Sequence, residues 1–229
     1  MYYEPGRTPH GLKHDPFKSC VVPRPIGWIS TVDERGRHNL APYSQFQNVG
    51  FDPPIVMFSA NQNSSGRRKD SVRNAERGGE FVWNLATWAL REAVNASAQE
   101  LPPDVDEFEV AGLEKAPSRL VKPMRVARSP IQFECRYLNT LRFPGNGPMG
   151  SVDVVFGRVV AIHIADEALD ADGLVDVVKL RPIARMGYFE YTSVDSKFSM
   201  TIPGDQRALL AGLEGSADKV GEALGRRDD

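Results

Sequence analysis

The chain has 229 residues, 41% of them hydrophobic and 25% charged, which is ordinary for a globular protein long enough to bury a substantial core. A net charge of −2 and a pI near 6.1 argue against a nucleic-acid-binding or membrane-surface protein. No apolar run approaches the ~20 residues of a membrane span, and the N-terminus has no apolar run behind a charged start, so neither anchor nor signal peptide is expected.

Residues 1–20 are rich in Pro, Gly and charge and read as an irregular lead-in. A first strand runs from Ile26 to Val32, and Asp33 to Arg37 forms a turn around Gly36. A second strand is expected from Asn39 to Val49, interrupted by Pro42, which points to an edge or a bulge. Asp52-Pro53-Pro54 forces an extended corner before a third strand, Ile55 to Ser59. A helix is expected from an Asp70 or Ser71 N-cap to the Gly78-Gly79 pair, followed by a strand over EFVWNLA, 80–86.

Residues 88–99 have helical composition and stop at Leu101-Pro102-Pro103. The acidic, Pro-punctuated stretch 104–125 reads as a surface excursion. Two long strands follow, Ile131 to Phe143 and Ser151 to Ile164, and a short apolar segment lies within 177–191. The tail 203–229 is weakly amphipathic and is expected to be helical in part. Many strands without regular βαβ alternation point to a β-barrel with a few peripheral helices.

The small polar residues Ser30, Thr31, Ser44, Gln45, Asn48 and Ser59 are unusually dense for β-strands and suggest a polar guest. The turn Arg67 to Ser71 supplies cations at a helix start, which suits a phosphate; taken alone, such a run is more often a solvated face. Phe46 reads equally as core or as the wall of a ring pocket, and His163 as a half-exposed strand end or a substrate contact. Gly145-Asn146-Gly147-Pro148-Met149-Gly150 matches the GxGxxG letters, but a β-branched strand follows it where a dinucleotide site needs a helix, so it reads as a hairpin loop. No metal-ligand spacing and no Ser–His–Asp pattern occurs, so catalysis is expected to rest on a cofactor rather than on a catalytic side chain or metal. Cys20 and Cys135, with no CxxC partner, are expected as free thiols of a cytoplasmic protein.

PRPIGWIST at 23–31, NLAPYSQFQNVGFDPPIVMFS at 39–59 and RKDSVRN at 68–74 together resemble the flavin reductase-like (flavoredoxin) family. EFVWNLA at 80–86, FGRVVAIHI at 156–164 and LRPIARMGYFEYTSV at 180–194 extend the resemblance across about 20–202. It implies a mainly β fold, an FMN-binding split barrel of Greek-key type, as a single unit over 21–202. It also implies FMN as cofactor, with Ile29, Ser30 and Thr31 along the flavin edge and ribityl chain. Ser44, Gln45, Phe46 and Asn48 would line the isoalloxazine, Ser59 and Ala60 the ribityl–phosphate region, and Arg68, Lys69 and Ser71 the phosphate. The implied activity is that of an NAD(P)H:flavin oxidoreductase, with hydride passing from nicotinamide C4 of NADH or NADPH to flavin N5. The implied assembly is a homodimer that serves a partner monooxygenase or another electron acceptor. The alternative is an FMN-binding electron-transfer protein that does not itself oxidise nicotinamide.

Overall fold

The computed structural model describes residues 1–147 and 149–200. By packing, Met1–Asp195 form one unit and Ser196–Asp229 another; the helix expected in 203–229 lies outside the described residues.

The first unit is built on one antiparallel sheet. Its strands are β1 (Gly27–Val32), β2 (His38–Tyr43), β3 (Phe46–Phe51), β4 (Pro54–Asn61), β5 (Glu80–Asn84), β6 (Ile131–Phe143) and β7 (Val152–Ile164), in the spatial order β2-β1-β5-β6-β7-β4-β3. The two edge strands β2 and β3 are consecutive in the chain, joined only by Ser44 and Gln45. In a flat sheet of seven strands those edges would stand ~29 Å apart, whereas a two-residue link spans at most ~11 Å. The sheet must therefore roll up, and it does: Tyr43 of β2 packs on Phe58 of β4 at 5.1 Å, and Phe46 of β3 stacks on Trp83 of β5 at 5.2 Å. A barrel split along the β2/β3 seam results.

The expectation of one interrupted strand from Asn39 to Val49 is thus corrected to two strands on opposite edges, broken at Ser44-Gln45 rather than at Pro42. Pro42 lies inside β2, where an edge position makes its missing N–H inconsequential. The GxGxxG letters fall in the β6–β7 connection, as a hairpin loop should.

Ile29, Val56, Phe58, Phe81 and Val155 fill the barrel interior, each at most 2% exposed. Packing there is tight enough to demand glycine at 157, since a Cβ would stand 2.4 Å from the Phe81 ring. Helix α1 (Asp70–Gly78) ends where Gly79 turns left-handed at φ +71°, the C-terminus read from the sequence. Its start differs from expectation. Lys69 is the N-cap, no side chain caps the helix, and the Asp70 carboxylate binds Arg73 at 3.1 Å instead.

A second core holds Trp28, Leu40, Val94, Phe108 and Val126 against the helices α2 (Arg91–Ala96) and α3 (Glu107–Val110). Phe108 is fully buried, so the stretch 104–125 is not merely a surface excursion; its acidic composition hid one large apolar anchor. Two strand carboxylates hold its far end. Glu134 accepts from the N–H groups of Arg119 (2.8 Å) and Leu120 (2.6 Å), and Glu80 from that of Lys122 (2.7 Å).

Candidate functional site

A cavity of about 310 Å³ opens between β2, the turn that leads into α1, and the segment that follows α2. Its walls include Asn39 and Tyr43 on one side, Asn63, Arg67 and Lys69 on another, and Ser97 to Pro103 on the third.

The turn is organised by Asn63. Its side-chain oxygen accepts from the N–H of Arg67 (2.7 Å), the N–H of Ser65 (3.2 Å) and the Ser65 hydroxyl (2.8 Å), the behaviour that suits Asn to turns. This leaves Arg67 exposed and Lys69 half-buried at the start of α1, where a helix favours negative charge. The Glu100 carboxylate accepts from the Ser64 hydroxyl (2.8 Å) and N–H (3.1 Å) and lies 3.9 Å from Lys69 Nζ. The Ser64 bonds, chiefly that of the hydroxyl, hold the Glu100 carboxyl below its usual range.

Behind the cavity lies a connected polar network. Asn39 accepts from the Ser71 hydroxyl (2.6 Å) and the Thr31 hydroxyl (3.3 Å), and donates to Glu107 (3.0 Å). Asn74 donates to Thr31 (3.1 Å), and the Leu40 N–H donates to Glu107 (3.0 Å). Burial pushes the Glu107 carboxyl up, despite the bonds from Leu40 and Asn39. Burial also raises the Tyr43 phenol, so that tyrosine stays neutral.

The expected site residues divide into those with access to the cavity or the surface and those without. Ser30, Thr31 and Ser71 are fully buried and spend their hydroxyls inside the protein, Ser30 on the Met124 carbonyl at 2.6 Å and Ser71, which borders the cavity, on Asn39. The density of hydroxyls in these strands is met by partners from the chain itself: Asn39, Asn74, Asn84 and Met124. Ile29 and Ala60 point into the barrel, and Phe46 is core. Ser44 and Gln45 are half-buried on the seam, where the Gln45 carbonyl accepts from the Ser59 N–H at 2.8 Å. Asn48 is exposed and accepts from Gln47.

Two residues depart further from expectation. Arg68 turns away from the cavity, pairing with Glu76 through two nitrogens (2.5 and 2.8 Å) and with Asp153 at 2.9 Å; these carboxylates, Glu76 foremost, raise its pKa further. His163 lies in a different depression, lined by Arg119, Arg125 and Gln132, whose lining shares no residue with the cavity; its Nε2 meets Glu134 Oε1 at 2.6 Å. Sequence reasoning missed Asn39, Tyr43, Asn63 and Glu100. Only Asn63 carried a local signal, as the head of the turn sequence Asn63-Ser64-Ser65-Gly66.

Beside the seam, the outward face of β4, β6 and β7 is largely apolar, with Asn61 and Asn139 among its polar members. Ser59 sits on it opposite Val154, with Met57 opposite Phe156, and Leu141 and Phe143 are about half exposed at 46% and 55%.

Comparison with known proteins adds three findings. The flavin reductase like domain matches residues 19–183. An uncharacterised protein of Halalkalibacterium halodurans is 37% identical over 184 residues, covering 80% of this chain and 88% of that protein, and one of Aquifex aeolicus is 37% identical over 167 residues, covering 73% and 82%. Among solved structures, nitrilotriacetate monooxygenase component B from Bacillus cereus superimposes with a TM-score of 0.79 at 28% identity, covering 87% of this chain and 98% of that one. The 2-nitrobenzoate 2-nitroreductase of Pseudomonas fluorescens shares the fold, with a TM-score of 0.75 at 24% identity and coverage of 89% and 96%.

Proposed function

The chain belongs to the flavin reductase-like family, and from that premise we propose that it is an NAD(P)H-dependent flavin reductase holding FMN in the cavity beside the β2/β3 seam. The observation that carries this reading is the turn at Asn63–Lys69. It offers two accessible cations and a helix start without a side-chain cap, all bordering a cavity whose far wall includes Tyr43 and Asn39. A phosphate monoester requires such a set of donors.

In this reading Arg67 and Lys69, rather than Arg68, hold the phosphate. Ser44, Gln45 and Ser59 face the polar edge of the ring, and the buried Asn39–Ser71–Thr31 network keeps the wall rigid. FMN, when bound, supplies a two-electron acceptor for the hydride of NADH or NADPH. The protein's share is orientation and exclusion of water, and hydride transfer between two rings needs no side-chain acid or base.

The apolar face around Leu141, Phe143 and Phe156 is the surface a second copy would cover, making a homodimer with the site near its interface. The likeness to a monooxygenase component supports delivery of reduced flavin to a partner oxygenase. The free thiols Cys20 and Cys135 suit a reducing cytoplasm, and among the described residues no helix is long and apolar enough to cross a membrane.

Anaerobic mixing with NADH and with NADPH tests the activity. Loss of flavin absorbance near the visible maximum is expected with at least one donor. Purified protein that binds FMN but bleaches with neither would be an electron carrier instead.

A further inference from the structure

The cavity contains its own anion. Three carboxylates line it, and two have partners elsewhere: Asp70 binds Arg73, and Glu107 is held by Asn39 and the Leu40 N–H. Glu100 is different. Its oxygens take the N–H and hydroxyl of Ser64 within the turn and stand 3.9 Å from Lys69 Nζ, with Arg67 close enough to stabilise its charge. A backbone N–H, a hydroxyl and an ammonium are the donors a phosphate monoester seeks.

We propose that Glu100 is a built-in competitor for the flavin phosphate, occupying the donors of the Ser64–Lys69 turn and setting how readily FMN exchanges. The inference rests on the assignment of the phosphate to this turn. A carboxylate carries one charge and a phosphate monoester close to two, so the ligand displaces the side chain rather than the reverse. Glu100 is free to swing, because its side chain is 41% exposed and, among the described residues, is held only by Ser64 and Lys69. Each binding event then breaks the Glu100–Ser64 bonds, and each departure re-forms them. The result is a flavin held loosely enough to leave, as a reductase that hands flavin to another enzyme requires.

The test compares wild type with Glu100→Gln, which keeps the side chain's length and removes its charge. FMN and riboflavin are titrated separately by quenching of flavin fluorescence, and FMN release is followed by stopped flow. Inorganic phosphate alone is titrated against the thermal unfolding temperature. Glu100→Gln is expected to tighten FMN about threefold to tenfold, the range for losing one partly exposed competing charge, mostly through slower release. Riboflavin should stay within about twofold, and phosphate should raise the melting temperature at lower concentration than in wild type.

FMN affinity unchanged or weakened while riboflavin is unchanged would overturn the competitor and leave the phosphate assignment standing. Equal tightening of both flavins would also overturn it, since riboflavin has no phosphate. If wild type and variant alike bind FMN no more tightly than riboflavin, the phosphate does not lie at this turn and both readings fall. Loss of both flavins in the variant would make Glu100 an anchor of the fold, and the proposal would be wrong.

Discussion

Arg68 and Lys69 are adjacent cations that the structure sends to different partners. Lys69 is a third exposed and faces the cavity, whereas Arg68 bridges Glu76 on α1 and Asp153 on β7. A charge-assisted contact to phosphate contributes about 1.5–3 kcal/mol when partly desolvated. Solvent screening at Lys69 argues for the lower part of that range, so Lys69→Ala should cost about 1.5–2 kcal/mol, or roughly 10- to 30-fold in FMN affinity. Riboflavin affinity should stay within about twofold. Arg68→Ala acts elsewhere. It deprives Asp153, 2% exposed, of its nearer partner and leaves Arg142 at 3.4 Å as the remaining one. Breaking a buried pair costs about 3–5 kcal/mol, and the remaining Arg142 reduces this to about 2–3 kcal/mol. For a chain of this size that is a fall of about 5–10 °C in melting temperature. Fluorescence titration of both flavins, with thermal melts of the apo-proteins, separates the two roles. A Lys69→Ala variant that loses FMN and riboflavin equally would refute the assignment. So would an Arg68→Ala variant that keeps its melting temperature but loses FMN selectively.

Three further outcomes follow from the packing and the charges. Phe108→Ala should destabilise by about 3–5 kcal/mol in urea denaturation, because the ring is fully buried in the second core; a loss under 1 kcal/mol would return this segment to the surface. Gly157→Ala should cost about 1–3 kcal/mol by forcing a methyl group against Phe81, and Phe81→Leu in the same chain should recover part of it. Burial alone would raise the Glu134 carboxyl, but the bonds from the Arg119 N–H, His163 and the Leu120 N–H outweigh it and hold the group below its usual range. A depressed folded-state pKa stabilises above the unfolded value of about 4.3 and loses that contribution as pH falls through the folded value. The stability gap between wild type and Glu134→Gln should therefore narrow in melts taken from pH 6 down to pH 3, and a constant gap would refute the linkage.

What the sequence disclosed is what local chemistry encodes. The Val- and Ile-rich run of β7, the Gly78-Gly79 stop and the turn around Gly36 all depend on neighbours within a few positions. The hydroxyls of Ser30, Thr31 and Ser71 were legible as unusual, but their partners were not. Met124 and Asn84 stand far along the chain from Ser30, and Asn39 gathers hydroxyls from two different elements. Arg68 misled in part for the same reason, since one of the two carboxylates that claim it, Asp153, is 85 positions away, while the other, Glu76, lies on the helix that Arg68 precedes. The break at Ser44-Gln45 has no local mark either; it follows from which strands come to lie at the two edges of the sheet.

That strand order also governs how the chain reaches its fold during synthesis. β4 pairs with β3 and β7, so Ile55 finds Arg158, and Asn61 finds Val152, only after most of the polypeptide has been made. At about 5–20 residues per second, a nascent β4 waits roughly 5–20 s for that partner. Through that interval Val56 and Phe58, later sealed in the barrel, are open to solvent beside an unpaired strand edge. Among the described residues the longest pairing between neighbours late in the chain is the β6–β7 hairpin, whose local contacts can form as soon as both strands have been made.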